Sequence, residues 1–226
     1  MKTTDSNSRR TFLGTMALGT VAGGLSTLTA KADGLPEELG SGSLHEADKW
    51  FKGVKGSHRI VYDGSTPHDG FPIIWNWAYY MTNNQTGSPD NDITGITVLR
   101  HSAIPFAFEN RIWEKYPIGE VFGIIDNTTK TGSKRNPYYE PQEGDFPMPQ
   151  IEGIKRLQER GAMFCVCDLA IKVYGAAVAK QMEIDPTEVY KDWTSGILPG
   201  IQLVPSGVWA LGRAQENGCG YIFAGG

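Results

Sequence analysis

The chain is poor in cysteine, with three in 226 residues, Cys165, Cys167 and Cys219. An odd, small number leaves at least one thiol outside any intrachain pair, which excludes a disulfide-built scaffold. Long apolar runs are also lacking. The mildly apolar stretch Phe12–Leu28 is interrupted by glycines, threonines and serines, so it is a poor transmembrane anchor, which needs about 20 strongly apolar residues. A basic excess is missing too: the chain carries a net charge of −4, which speaks against nucleic acid and anionic membrane surfaces as partners. There is no Gly-x-Gly-x-x-Gly, no phosphate-binding Gly-Lys-Ser/Thr loop and no Gly-x-Ser-x-Gly elbow, so the corresponding nucleotide and hydrolase classes lose their sequence support. No internal repeat or low-complexity tract is visible.

What is present begins with an address. Ser8-Arg9-Arg10-Thr11-Phe12-Leu13 is a twin-arginine pattern, and Ala30-Lys31-Ala32 places small residues where a signal peptidase reads. Residues 1–32 therefore read as a twin-arginine signal peptide cut after Ala32, and the protein is expected to be periplasmic, with no membrane span in the mature chain. Residues 1–32 carry four basic residues and one acidic, a net +3, so their removal from a chain of net −4 leaves −7 on 194 residues. That length suits one domain with its own core.

Residues 33–56 read as a polar, Gly-rich arm or linker, with a short helical piece around His45–Phe51. From Ser57 onward, strand and helix signals alternate. Strands are predicted at Arg59–Tyr62, Ile93–His101, Ala162–Cys167, Ile201–Val204 and Tyr221–Phe223. Helices are predicted at Pro72–Met81, Pro105–Tyr116, Ile151–Arg160, Leu169–Met182, the Asp185-capped run to Trp193, and Pro205–Glu216. The pattern predicts an α/β domain over 57–226, with a mainly parallel, open, doubly wound sheet of about five strands. Residues 117–148 interrupt it with four prolines, several glycines and Tyr138-Tyr139, and read as a long inserted loop with one strand candidate, Val121–Ile125.

In such sheets chemistry collects beyond the C-terminal ends of the strands. That rule singles out Asp63-Gly64, His101-Ser102, Cys167-Asp168 and Pro205-Ser206-Gly207. Cys165 and Cys167, two apart on a strand, share a face. Cys167 also precedes a helix, whose N–H groups and dipole favour a thiolate, while Asp168 opposes it. Two buried core cysteines are the plain alternative. A copper or zinc site from Cys165, Cys167 and His101 is a minor third reading, in which two thiolates and an imidazole supply the donors. His101 is a candidate acid/base or a polar strand-end cap. Ser206 and Gly207 offer N–H groups to an anion or simply cap a helix. His68, after the first strand, is placed to look into a cleft.

The order of these segments carries a resemblance. The strand Gly161-Ala-Met-Phe-Cys-Val-Cys167, the turn Leu198-Pro-Gly-Ile-Gln-Leu-Val-Pro-Ser-Gly-Val208, then Arg213-Ala-Gln215 and Gly220-Tyr-Ile222 resemble the DsrE/DsrF-like family of sulfur-oxidation and sulfur-relay proteins over roughly residues 57–226. Ile93–His101 resembles that family's second strand, which often ends in His. The resemblance implies a flavodoxin-like three-layer sandwich and a homo-oligomer. It also implies a persulfide carrier or sulfurtransferase working through Cys167 without a cofactor, with a sulfur donor or an acceptor thiol protein as partner. In that role Cys165 or Cys219 would resolve the persulfide and His101 would move protons. The chain departs from the family at Asn217-Gly-Cys-Gly-Tyr221, where Cys219 is unusual, and in its export signal, since the familiar relays are cytoplasmic. The alternative function is a non-catalytic ligand-binding or assembly module of the same fold, using the loop 117–148.

Overall fold

A strand buried on both faces has no reason to alternate polar and apolar residues. Ile93–Leu99 (β2), Ile-Thr-Gly-Ile-Thr-Val-Leu, is buried at every position. It lies at the centre of the sheet in the computed structural model, which describes residues 41–226, with side chains from His45. The expected signal peptide and the first part of the expected arm lie outside the described residues.

Beside β2 lie β1 (His58–Gly64) and β3 (Met163–Cys167); β4 (Ile201–Val204) extends the β3 side and β5 (Gly220–Phe223) the β1 side. The order is β4-β3-β2-β1-β5 and every pairing is parallel. With helices on both faces this is a three-layer α/β sandwich of the flavodoxin-like kind, as the sequence predicts. The register sets Val98 beside Cys165, and Cys167 beside Val204.

The steps from β1 to β4 all run in one direction. Right-handed crossovers therefore place α2 (Phe71–Gln85), α5 (Ile154–Arg160) and α6 (Asp168–Met182) on one face. The return from β4 to β5 runs the other way and sets α8 (Gly207–Glu216) on the opposite face. There Ala210, Leu211 and Ala214 pack on Val61, Ile96, Val98 and Cys165. The same cluster takes in Ala47, from α1 (Ser41–Trp50), and Phe51 just after it, both essentially inaccessible. Through Ala47 and Phe51, then, part of the segment expected to be a polar arm packs into the core; its sequence is polar because only one stripe of it is buried.

The predicted helix Pro105–Tyr116 is split into a 3₁₀ stretch His101–Ala107 and a short α3 (Asn110–Lys115). Pro105 has no N–H to continue a ladder. The backbone between the two pieces is claimed from elsewhere: Leu198 N donates to Ala107 O at 2.8 Å and Glu109 N donates to Gly196 O at 2.9 Å. Val121–Ile125 is not a strand. Ile118–Val121 forms α4, Gly123 turns the chain at φ 70°, and Ile125 alone bridges to Gly132.

The insert 117–148 is held by side chains rather than by a sheet. Buried Asn136 is its hub, with Nδ2 donating to the carbonyls of Phe106 (2.9 Å) and Phe108 (3.1 Å) and Oδ1 accepting from Tyr138 N (3.0 Å). Arg135 forks onto Asp145 at 2.8 and 2.6 Å. Tyr138 packs edge-on against Phe106, ring centres 4.5 Å apart. Helix α7 (Pro186–Ser195) closes the outside through Trp193, whose ring lies 5.2 Å from that of Phe108. No helix among the described residues is long and apolar enough to cross a membrane.

Candidate functional site

Adjacent strands β3 and β4 send their chains to opposite faces, β3 into α6 and β4 into α8. A crevice at such a divergence is where open α/β sheets bind ligands. Cys167 stands at the tip of β3 and Ser206-Gly207 at the tip of β4, so the two motifs singled out in the sequence meet here.

Cys167 is the N-cap of α6, and its Sγ accepts from Ala170 N at 3.3 Å. The N–H of Gly207, at the start of α8, also acts on the sulfur and favours its thiolate, whereas Leu169 N donates to Pro205 O at 3.3 Å. Burial acts against them, with the neighbouring Asp168 adding to it, and the net effect pushes the Cys167 thiol up. The Asp168 carboxylate is itself compensated, by Lys172 Nζ at 2.9 Å and by a hydrogen bond from Tyr190 at 2.7 Å.

Gly207 has a steric reason to be glycine. A Cβ there would stand 2.5 Å from Cβ of Arg100. Arg100 follows β2 and forks onto the buried Asp63 at the end of β1, Nε to Oδ1 at 2.6 Å and Nη2 to Oδ2 at 2.9 Å. Tyr221 of β5 donates to the same carboxylate at 2.8 Å. The hydrogen bonds to Asp63 hold the guanidinium charged, with burial acting against them. Of the residues in this fork the sequence marks Asp63 as a strand-end candidate. Arg100 sits unremarked beside His101, and Tyr221 reads as a strand residue.

His101 opens the 3₁₀ stretch after β2 with a left-handed backbone, φ 50°. Its ring nitrogens lie 3.2 and 3.1 Å from Tyr174 Oη, and Nδ1 lies 3.3 Å from Ser102 Oγ. Burial and then the positive charge of Arg100 lower its pKa, and the Ser65 backbone partly opposes them. No hydrogen bond among the described residues joins His101 to Cys167. Ser206 is an N-cap, its Oγ accepting from Trp209 N at 3.3 Å.

The other thiols lie elsewhere. All three cysteines are free. Cys165 shares the Cys167 face, as its spacing requires, but it is fully buried under α8 and its thiol is pushed far up, chiefly by that burial. Cys219 precedes β5, level with the start of β1, while Cys167 lies past its end. The offset is six residue steps, about 20 Å at ~3.3 Å per step. Cys219 is thus far along the sheet from Cys167, and Cys165, on the same face as Cys167, is sealed by burial. The copper or zinc set of Cys165, Cys167 and His101 is not assembled, since no three His, Cys, Asp or Glu among the described residues come together as a metal site.

His68 belongs to a different opening. It lies beyond β1, where Nδ1 donates to Ala224 O at 3.2 Å and its ring stacks on Phe71, centres 4.8 Å apart. It lines a cleft of about 570 Å³ between the start of α2 and the insert. Comparisons of the chain with protein-family models, with curated proteins and with solved structures give no match.

Proposed function

We propose that this is an exported DsrE-like sulfur carrier or transferase acting through Cys167. The observation that supports the reading best is the convergence of N–H groups from α6 and α8 on Cys167 Sγ, at the point where β3 and β4 diverge. Such a cradle favours negative charge on sulfur without requiring a cofactor.

In the proposed step the Cys167 thiol loses its proton as it engages a donor persulfide, R–S–SH. The Cys167 sulfur attacks the outer sulfur, a new S–S bond forms, and the donor's S–S bond breaks. The donor leaves as the thiolate R–S⁻ and takes up the proton, giving R–SH and Cys167–S–SH. The reverse exchange hands the sulfur to an acceptor thiol. The raised thiol keeps the resting site quiet, so reaction depends on a donor that enters the crevice. His101, neutral and close to the same strand ends, is the proton carrier of the scheme. Leu169 and Val208, exposed at the first turns of α6 and α8, give the crevice an apolar rim suited to a partner protein or a second copy of the chain.

The twin-arginine segment supports a periplasmic location. The test is the intact mass of the mature protein after treatment with a persulfide donor. The expected product carries one added sulfur atom on the wild type and none on Cys167→Ala. An unchanged wild-type mass, or equal loading of the variant, overturns the reading.

A further inference from the structure

The cleft at His68 is built of different material from the surroundings of Cys167. Rings of Phe71, Phe122, Tyr138 and Phe146 line it. Neither lysine nor arginine is among its lining residues, although two carboxylates are, Asp69 and Asp145. Both oxygens of Asp145 are taken by Arg135. The exposed carboxylate of Asp69 has no hydrogen bond or ion pair among the described residues. It lies near enough to Tyr138 that, after burial, it is the next cause raising that phenol.

The backbone that presents Asp69 is strained. His68, Asp69 and Gly70 are consecutive left-handed residues, at φ 40°, 49° and 84°. Few side chains adopt that region, Asn, Asp and His most often, and runs of such residues gather at ligand sites. The turn is pressed against Tyr138, whose ring would stand 2.5 Å from a Cβ at Gly70. His68 is clamped behind it by Ala224 and Phe71. The fold thus holds an unpaired carboxylate beside an aromatic-walled space of the size that small ligands occupy.

We propose that this cleft binds an organic cation, an ammonium group carried on an aromatic or short aliphatic body. The ammonium meets Asp69 and the faces of the surrounding rings, and the body fills the space between Phe122, Phe146 and Ile74. An anionic ligand would meet carboxylates with no cation lining the cleft. The inference does not depend on chemistry at Cys167.

The test titrates the mature protein with three probes of one shape, 2-phenylethylammonium, 2-phenylethanol and phenylacetate, by calorimetry or by chemical-shift changes at the insert. The ammonium is expected to bind saturably, the alcohol about fivefold more weakly, and the acetate more weakly still. Asp69→Asn, which suits the left-handed turn, is expected to bring the ammonium down to the level of the alcohol. Ile125→Lys, at an exposed lining position, supplies a competing ammonium and is expected to abolish binding. No saturable binding of the ammonium, equal affinity for all three probes, or affinity unmoved in both variants would overturn the proposal.

Discussion

The surroundings of Cys167 and the cleft at His68 lie at the same edge of the sheet, one beyond β3 and the other beyond β1. The surroundings of Cys167 are made of backbone: helix-end N–H groups meet one sulfur, and the charges close by are paired, Asp168 with Lys172 and Arg100 with Asp63. The cleft is made of side chains, rings and an unpaired carboxylate, supplied largely by the insert. Regular structure thus builds the surroundings of Cys167. Irregular structure builds the binding space, and each has its own supports.

That independence can be attacked directly. Asp63→Ala carries the largest expected effect, because it leaves the guanidinium of Arg100, only a quarter exposed, without its partner. Discounted for that exposure, the loss is about 2–3 kcal/mol in urea unfolding, with binding in the cleft unchanged. A loss under about 1 kcal/mol would show that the fork does not support the crevice. Asn136→Ala is the complementary cut. It strips the carbonyls of Phe106 and Phe108 of a buried donor and should cost about 2 kcal/mol. Amide hydrogen exchange should rise across 117–148 while the alkylation rate of Cys167 stays fixed. If that rate moves as well, the two regions are coupled.

The smallest effect is in the titration of His101. Burial and Arg100 depress its folded pKa below the ordinary 6.5. A depressed imidazole favours the folded state when neutral. Its contribution is therefore present above the unfolded value and is lost as pH falls through the folded one. An NMR titration should place the His101 midpoint below 6.5, and Arg100→Gln should raise it. A midpoint at or above 6.5, or one indifferent to the arginine, would remove Arg100 from the electrostatics of this edge.

The sheet was readable because parallel strands advertise themselves by composition. Ile201–Val204 is recovered at its observed bounds and Ala162–Cys167 differs only at its first residue. Helix starts were readable where a cap marks them, as at Asp185-Pro186. What escaped depends on distant partners. Nothing local says that the backbone after Pro105 will be claimed by residues 196–198, or that one stripe of a polar segment, Ala47 and Phe51, will be buried. Spacing put Cys165 and Cys167 on one face, but depth along the strand separates a sealed thiol from one at a crevice. Depth also separates Cys219 from both ends of the argument. The pairing of Arg100 with Asp63 joins two strand ends whose neighbours in sequence carry no hint of each other.

The pairing of β5 has a kinetic consequence. Tyr221 meets Asp63 across 158 residues, whereas β2 joins β1 across only 35, as His58 beside Ile93 shows. Closing the longer loop costs roughly 1.3 kcal/mol more in chain entropy. The edge contact is thus slow to appear, and a folding chain can form the central strands before Tyr221 arrives. Until then Arg100 lacks one of the restraints on its carboxylate partner, and the electrostatic setting around Cys167 is unfinished. The charge setting at the thiol end of the sheet is thus completed by a contact from the edge strand farthest along the chain.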